Sequence, residues 1–387
     1  MSTPWLRKSV IAVALLGLLA GLLYARLAPG PDLTPAIMAT LETGERLDPG
    51  ERYRPIMDAS GAHVGFLAVA TRPGYGGPLT VAVRLDREGR LVAVTPIDHK
   101  ETPGFFLSVA RSGLLEQFRG LKANAPMQLG ADLQGVSGAT ITSRAIAEAA
   151  RLGAYEVART EFGLATPQSK LEITFGLEEW ALLGMMLLSL ALWKLNLTRL
   201  RLPLLALSTV VMGFWLGALF AIPQLTALLM GYAPPLQEAV RWYLLVAGVL
   251  ILTVTVGHNW YCYWLCPFGA AQELLSLVGG NMIRPSLRLR RALSWIRWAL
   301  LWLSAMVAFF TLSPGTGSVE PFSTLFLFKG SNLQWVVLLT VLVSAIFVKR
   351  IWCNFLCPVG AFREAVDWLR REVMTRWRAK TRPDITT

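Results

Sequence analysis

Charge is what this sequence has least of. Among its 387 residues 16% are Asp, Glu, Lys or Arg and 54% are hydrophobic, whereas a soluble domain carries about 25% charged residues. That deficit excludes a chain that is water-soluble throughout and implies membrane-embedded segments. Histidine is nearly absent, with His63, His99 and His258 the three copies, so a haem held between spans by paired histidines lacks its ligands. Asp and Glu are rare within the apolar runs, which argues against a dedicated proton or ion path. Cysteine is limited to four, and their placement must therefore be explained one by one.

The apolar excess is uneven. Residues 31–170 are mixed and polar, while long apolar runs lie in 9–25 and beyond 177. The expected organisation is an N-terminal membrane anchor (1–30), a water-exposed domain (31–170), a helical membrane domain (171–361) and a basic tail (362–387). The first segment has a positive start and no clean small-x-small cleavage site, because Arg26 precedes the most plausible cut after Ala28. It reads as a retained anchor. Further spans are expected at about 177–195, 202–222, 237–257, 292–312 and 334–350, giving about six in total. "QLTALLMGY" (224–232) is too short to cross and lies along the surface or re-enters.

Lys and Arg set the orientation, because positive charge near span ends is retained in the cytoplasm. One side collects Arg7, Lys8, Lys194, Arg199, Arg201, the run 284–291, Lys349, Arg350 and the tail, whereas loops 223–236 and 313–333 offer only Lys329. The basic side is then cytoplasmic, and residues 31–170 are outside. The net charge of +12 needs no nucleic acid to explain it.

The cysteines repeat a phrase. "YCYWLCPFGA" holds Cys262 and Cys266, and "IWCNFLCPVGA" holds Cys353 and Cys357, so matched residues lie 91 apart (353 minus 262, 357 minus 266). Span hairpins 202–270 and 292–361 thus look like degenerate repeats, which pair around a pseudo-twofold axis to bring four thiols together. Within each C-x-x-x-C the sulfurs share one helical face. The following proline forces Cys266 and Cys357 into extended backbone and suits the first position of a new helix at Pro267 and Pro358. A disulfide is disfavoured in a reducing compartment. Structural zinc and an iron–sulfur cluster both fit four thiolates, and spacing leaves the two open. Trp260, Trp264 and Trp352, beside the cysteines, read most simply as interfacial anchors, and His258 as an interfacial hydrogen-bonding group.

In the outer domain, residues 77–99 alternate as a β-hairpin turning at Asp86–Gly89. Helices are expected at about 105–119 and 143–160, the second with Thr142 or Ser143 as N-cap. The small-residue loop before it, "VSGAT", exposes backbone N–H groups beside a positive helix end and suits a phosphate, or is an ordinary turn before a capped helix.

Two resemblances sharpen this. "WYCYWLCPFGAAQELL" and "RIWCNFLCPVGAFREA" resemble the paired motifs of the NosR/NirI and NapH families, membrane proteins that pass electrons through iron–sulfur centres. The likeness covers about 200–370. It implies a cluster, 4Fe-4S in preference to 2Fe-2S, on Cys262, Cys266, Cys353 and Cys357. With all four cysteines used there, an additional soluble iron–sulfur module is expected to be a separate protein. "GYGGPLTVAVRLDREGRLVAV", "HKETPG" and "VSGATITS" resemble the FMN-binding domain of RnfG, NqrC and NosR-type proteins, over roughly 50–165. This implies FMN linked through its phosphate to Thr140 by a flavin transferase, with Ser137, Gly138, Ala139 and Thr142 beside it and Glu101, Thr102, Pro103 and Gly104 lining the pocket. The sequence departs from the pattern at Phe105-Phe106 and at Gln134, with Asp132 two residues earlier.

The fold expected is therefore an α+β extracytoplasmic FMN-binding domain with an α-helical polytopic domain in the bacterial inner membrane. Its expected role is an electron-transfer component of an oxidoreductase system, linking a cytoplasmic iron–sulfur protein or quinone to an extracytoplasmic redox enzyme. The alternative is a regulatory or assembly protein with a structural zinc site on the four cysteines and a redox-sensing flavin domain. With cluster and flavin on opposite sides of ~30 Å of hydrocarbon, a quinone, a second cofactor, a partner protein or movement of the flavin domain has to connect them.

Overall fold

In the computed structural model the described residues are 4–49, 53–167, 173, 175–237, 239–257, 260–280, 283 and 285–381. His258 lies outside them. The chain forms two units, described separately: Met1–Glu172 with Leu225–Glu238 and Met306–Gly317, and Ile173–Gln224 with Ala239–Ala305 and Ser318–Thr387.

The first unit begins with helices α1 (Pro4–Leu27) and α2 (Thr34–Met38). A meander follows, made of β1 (Arg46–Leu47), β2 (Tyr53–Met57), β3 (His63–Pro73), β4 (Pro78–Leu85) and β5 (Leu91–His99). Every neighbouring pair is antiparallel, and the spatial order is the chain order. The hairpin read from sequence is there, and its turn has a side-chain cause. Asp86 Oδ1 accepts from Glu88 N at 3.0 Å and Arg90 N at 2.7 Å, while Gly89 takes φ +74°, the combination in which Asp and Gly stabilise a tight reversal.

Helix α3 (Pro103–Ala110) and a short 3-10 turn at Glu116–Phe118 occupy the stretch expected as one helix. The helix ends ahead of Gly113, whose φ of +79° is left-handed and cannot continue an α-helix. Helix α4 (Thr140–Thr160) crosses the sheet and buries Ile146, Ala149, Ala150 and Val157 against Val81, Val83, Leu85 and Val94. Alanine and Gly153 on this face let α4 come close. A Cβ on Gly153 would meet Val83 at 3.2 Å and Ala68 at 3.3 Å. Each large aliphatic side chain buried here contributes about 1.5–3 kcal/mol.

The rest of the chain is helical: α5 (Leu177–Lys194), α6 (Arg201–Ser208), a π-helical segment (Thr209–Trp215), α7 (Ile222–Met230), α8 (Val240–Val256), a second π-helical segment (Tyr261–Leu265), α9 (Pro267–Val278), α10 (Leu287–Phe310), α11 (Phe322–Phe326), α12 (Asn332–Phe347), α13 (Ile351–Phe355) and α14 (Pro358–Thr381). Pro267 and Pro358 open α9 and α14 as their sequence position requires, and Cys266 is extended at φ −60°, ψ 115°.

Among the described residues two helical stretches are long and apolar enough to cross a membrane, Lys8–Leu27 and Leu293–Phe310. Helices α8 and α12 are apolar but have 17 and 16 residues. The segment expected as a span at 202–222 is broken: α6 passes into the π-helical segment and the helix ends before Gly217, whose φ is +57°. Gly213 lies so near Phe326 that a Cβ would sit 2.4 Å from its ring. The irregular backbone after the break is satisfied by side chains: Phe220 N donates to Tyr261 Oη at 3.1 Å, Ala221 N to Gln224 Oε1 at 2.6 Å and Ile222 N to Glu320 Oε1 at 3.0 Å. Buried amides without such partners would each carry a desolvation penalty.

Candidate redox sites

The site on the first unit converges from three short segments. The β3–β4 turn supplies Gly74 to Gly77, the β5–α3 connection supplies Glu101 to Gly104, and residues 136–139 lead into α4. Glu101 ties them together. It is 2% exposed, its Oε2 accepts from Thr142 Oγ1 at 2.8 Å and its Oε1 from Gly76 N at 3.4 Å. Gly74 is needed at this approach, since a Cβ there would fall 1.8 Å from Glu101 Oε1. Burial pushes the Glu101 carboxyl up to about 7, against the pull of hydrogen bonds from Thr142 and the Gly76 and Tyr75 amides.

The first turn of α4 differs from the sequence expectation. Thr142 and Ser143 do not cap it. The helix starts at Thr140, its N-cap is Ala139, and no side chain fills the cap. Thr142 is buried and spent on Glu101, while Ser143 Oγ accepts from Val136 N at 3.2 Å and donates to Ala139 O at 3.0 Å. Ser137, Gly138 and Thr140 are exposed. Thr140 thus offers an exposed hydroxyl at a helix end whose first N–H groups have no intrahelical partner, and this is where a phosphate is stabilised. The donor set fits a flavin phosphate.

Thr102 precedes α3 and Pro103 occupies its first turn. Sequence reading missed what frames this segment. Ser313 Oγ donates to Lys100 O at 3.2 Å, a Cβ on Gly315 would lie 2.5 Å from Thr102 Oγ1, and Tyr232 lies against Gly77. These residues come from 155 to 213 positions further along the chain (232 minus 77, 313 minus 100), and no local signal marks them. His99 stacks on Phe106 at 3.6 Å between ring centroids, which gives the unusual Phe105-Phe106 pair a packing role.

In the second unit all four cysteines line one cavity of about 180 Å³, together with Phe220, Tyr261, Phe322, Arg297, Arg350 and Arg363. The 91-residue repeat is therefore a spatial repeat. Phe220 and Phe322 complete the walls of the cavity, and α9 packs beside α6 and α12. Trp260, Trp264 and Trp352 are not interfacial anchors. They are 1%, 4% and 3% exposed, packed behind the cysteines.

A buried charge network braces this cavity. Glu273 takes both Arg201 Nη atoms, at 2.8 and 2.6 Å, and lies 2.7 Å from Lys349 Nζ and from Arg350 Nε. Arg350 adopts a left-handed backbone at φ 53° and donates to Cys262 O at 2.8 Å. Such bidentate pairing of a carboxylate with guanidinium is geometrically specific, and here it joins both cysteine-bearing repeats. Among the described residues no three His, Cys, Asp or Glu side chains are close enough to hold one metal ion. All four cysteines line the one cavity, a donor set that fits an iron–sulfur cluster with thiolates on its periphery.

Comparisons with known proteins agree with this division. Residues 74–154 match the FMN-binding domain, and residues 238–285 with 335–376 match a 4Fe-4S binding domain. The chain is 31% identical over 197 residues to "Regulatory protein NosR" of Pseudomonas aeruginosa, covering 45% of this chain and 27% of that protein. It is 30% identical over 203 residues to "Protein NirI" of Paracoccus denitrificans, covering 46% and 29%. Over 82 residues it is 42% identical to the G component of the ion-translocating oxidoreductase complex of Stutzerimonas stutzeri, covering 19% and 36%. The chain thus spans between about a quarter and a little over a third of the length of these relatives. It is NosR/NirI-like, and it combines a match to FMN-binding domains with a split match to 4Fe-4S binding domains.

Proposed function

We propose that this protein carries electrons across a bacterial inner membrane between FMN held as a phosphoester on Thr140 and one 4Fe-4S cluster on Cys262, Cys266, Cys353 and Cys357. The observation that carries the reading is the joint lining of one cavity by two cysteine pairs from repeats 91 residues apart. The exposure of Thr140, beside a Thr142 already spent on Glu101, supports attachment at the former. Ser137, Gly138 and Ala139 shape the phosphate loop, while Glu101, Thr102, Pro103 and Gly104 form a wall of the flavin pocket. When bound, the two groups supply reversible electron storage, and the chain contributes their placement and electrostatic surroundings.

In this reading residues 31–170 are extracytoplasmic, and residues 171–361 with α1 provide six membrane passages, one of them broken. A flavin transferase matures the protein. A separate cytoplasmic iron–sulfur protein or a quinone exchanges electrons at one end, and a redox enzyme outside does so at the other. The test is metal and flavin analysis of protein purified from a host that makes a flavin transferase. Iron with acid-labile sulfide and denaturation-resistant flavin fluorescence are expected; zinc alone overturns the reading. Reporter fusions after Gly163 and after Pro358 are expected to give opposite sidedness, and agreement between them removes the transmembrane scheme.

A further inference from the structure

The sulfurs in the cysteine cavity are not equivalent in what they touch. Gln272, fully buried, donates through Nε2 to Cys353 Sγ at 3.3 Å, and its Oε1 accepts from Trp352 N at 2.9 Å. That second bond fixes the amide so that its N–H side faces the sulfur. The hydroxyl of Tyr261, which lines the same cavity as Cys266, accepts from Phe220 N at 3.1 Å and so keeps its own proton to donate. The 91-residue repeat breaks at these donors. Tyr261 corresponds to Trp352 and Gln272 to Arg363. Both side-chain donors come from the first repeat, whereas the second supplies Arg350 and Arg363 to the cavity wall.

We infer that Gln272, through its hydrogen bond to Cys353 Sγ, and Tyr261, through the hydroxyl it presents in the same cavity, are positioning residues that set the reduction potential of the cluster. The inference rests on the iron–sulfur reading of the four cysteines. Reduction adds one electron to the cluster, supplied by the electron-donating partner, and raises electron density on the thiolate sulfurs. A donor hydrogen bond to sulfur therefore stabilises the reduced form more than the oxidised one, and the potential rises with each such bond. Gln272 spans the repeats, being on α9 while its sulfur is in α13, so it also reports whether the two halves are correctly mated.

The test uses the full chain in detergent, with Tyr261→Phe, Gln272→Met and the double variant compared by redox titration followed by electron paramagnetic resonance. Tyr261→Phe removes one oxygen and keeps the ring, so it remains informative if Gln272→Met fails to fold. Each single variant is expected to keep its iron and acid-labile sulfide and to show a midpoint more negative than the parent, the double variant more negative still. Full cluster content with an unmoved midpoint in Tyr261→Phe overturns the inference. Zinc in the parent protein overturns instead the reading beneath it.

Discussion

The two sites are built by opposite strategies. The proposed flavin attachment point is local, with Ser137 to Thr140 and the start of α4 supplying an exposed hydroxyl and helix-end amides from consecutive residues. The cysteine cavity is assembled, with half of its sulfurs from each of two segments 91 residues apart and its walls from Phe220 and Phe322. A local site can be lost one residue at a time and leave its surroundings standing. An assembled site fails as a whole, because each half is incomplete without the other.

The largest expected effect tests that difference directly. Cys353→Ser should abolish cluster iron altogether, since two or three thiolates do not complete a four-thiolate set; retention of half the iron in an intact cluster would show two independent sites. Next comes Thr140→Ala, which should remove all denaturation-resistant flavin from the protein while the iron content stays at the parental level. Thr142→Val sharpens the contrast. Flavin attachment should persist, because Thr140 is untouched, but Glu101 loses its buried donor and stability should fall by about 1–3 kcal/mol in denaturant titration. Finding FMN mass on Thr142 or Ser143 in the peptide covering 131–144 would reverse the assignment.

The smallest effect is one of pH. Glu101 titrates at about 7 in the folded protein against an ordinary value of 4.5, so the native state binds more protons in that window. Its stability is full below about 4.5 and falls as pH rises through 7, by about 3 kcal/mol in the limit. Thermal unfolding at pH 5 and pH 8 should therefore differ more in the parent than in Glu101→Gln. An equal difference in both would mean that Glu101 is ionised throughout.

How much of this was legible in the sequence follows the same division. The 86–89 turn, the helix starts at Pro267 and Pro358 and the pairing of the cysteines are consequences of short-range chemistry or close repetition, and the structure contains them. The α4 start was misplaced because a hydroxyl at 142 or 143 is the usual cap, whereas here tertiary contacts take both hydroxyls, Thr142 by Glu101 forty-one residues earlier in the chain. Hydropathy marked 202–222 as one span because it registers composition and is blind to the close approach of Gly213 to Phe326. The tryptophans mislead similarly: the belt rule describes side chains facing lipid, and Trp260, Trp264 and Trp352 are buried within the protein.

The break after the first π-helical segment bears on how the chain is made. Irregular backbone in contact with lipid is not tolerated, yet two of the groups that satisfy it are synthesised later: Tyr261 follows Phe220 by 41 residues, and Glu320 follows Ile222 by 98. As one of the membrane passages proposed above, this stretch would reach the membrane before those two partners exist and could not partition into lipid as a finished helix. In that reading its settling waits for the segments that carry Tyr261 and Glu320, so the stretch is completed together with later parts of the chain rather than by itself.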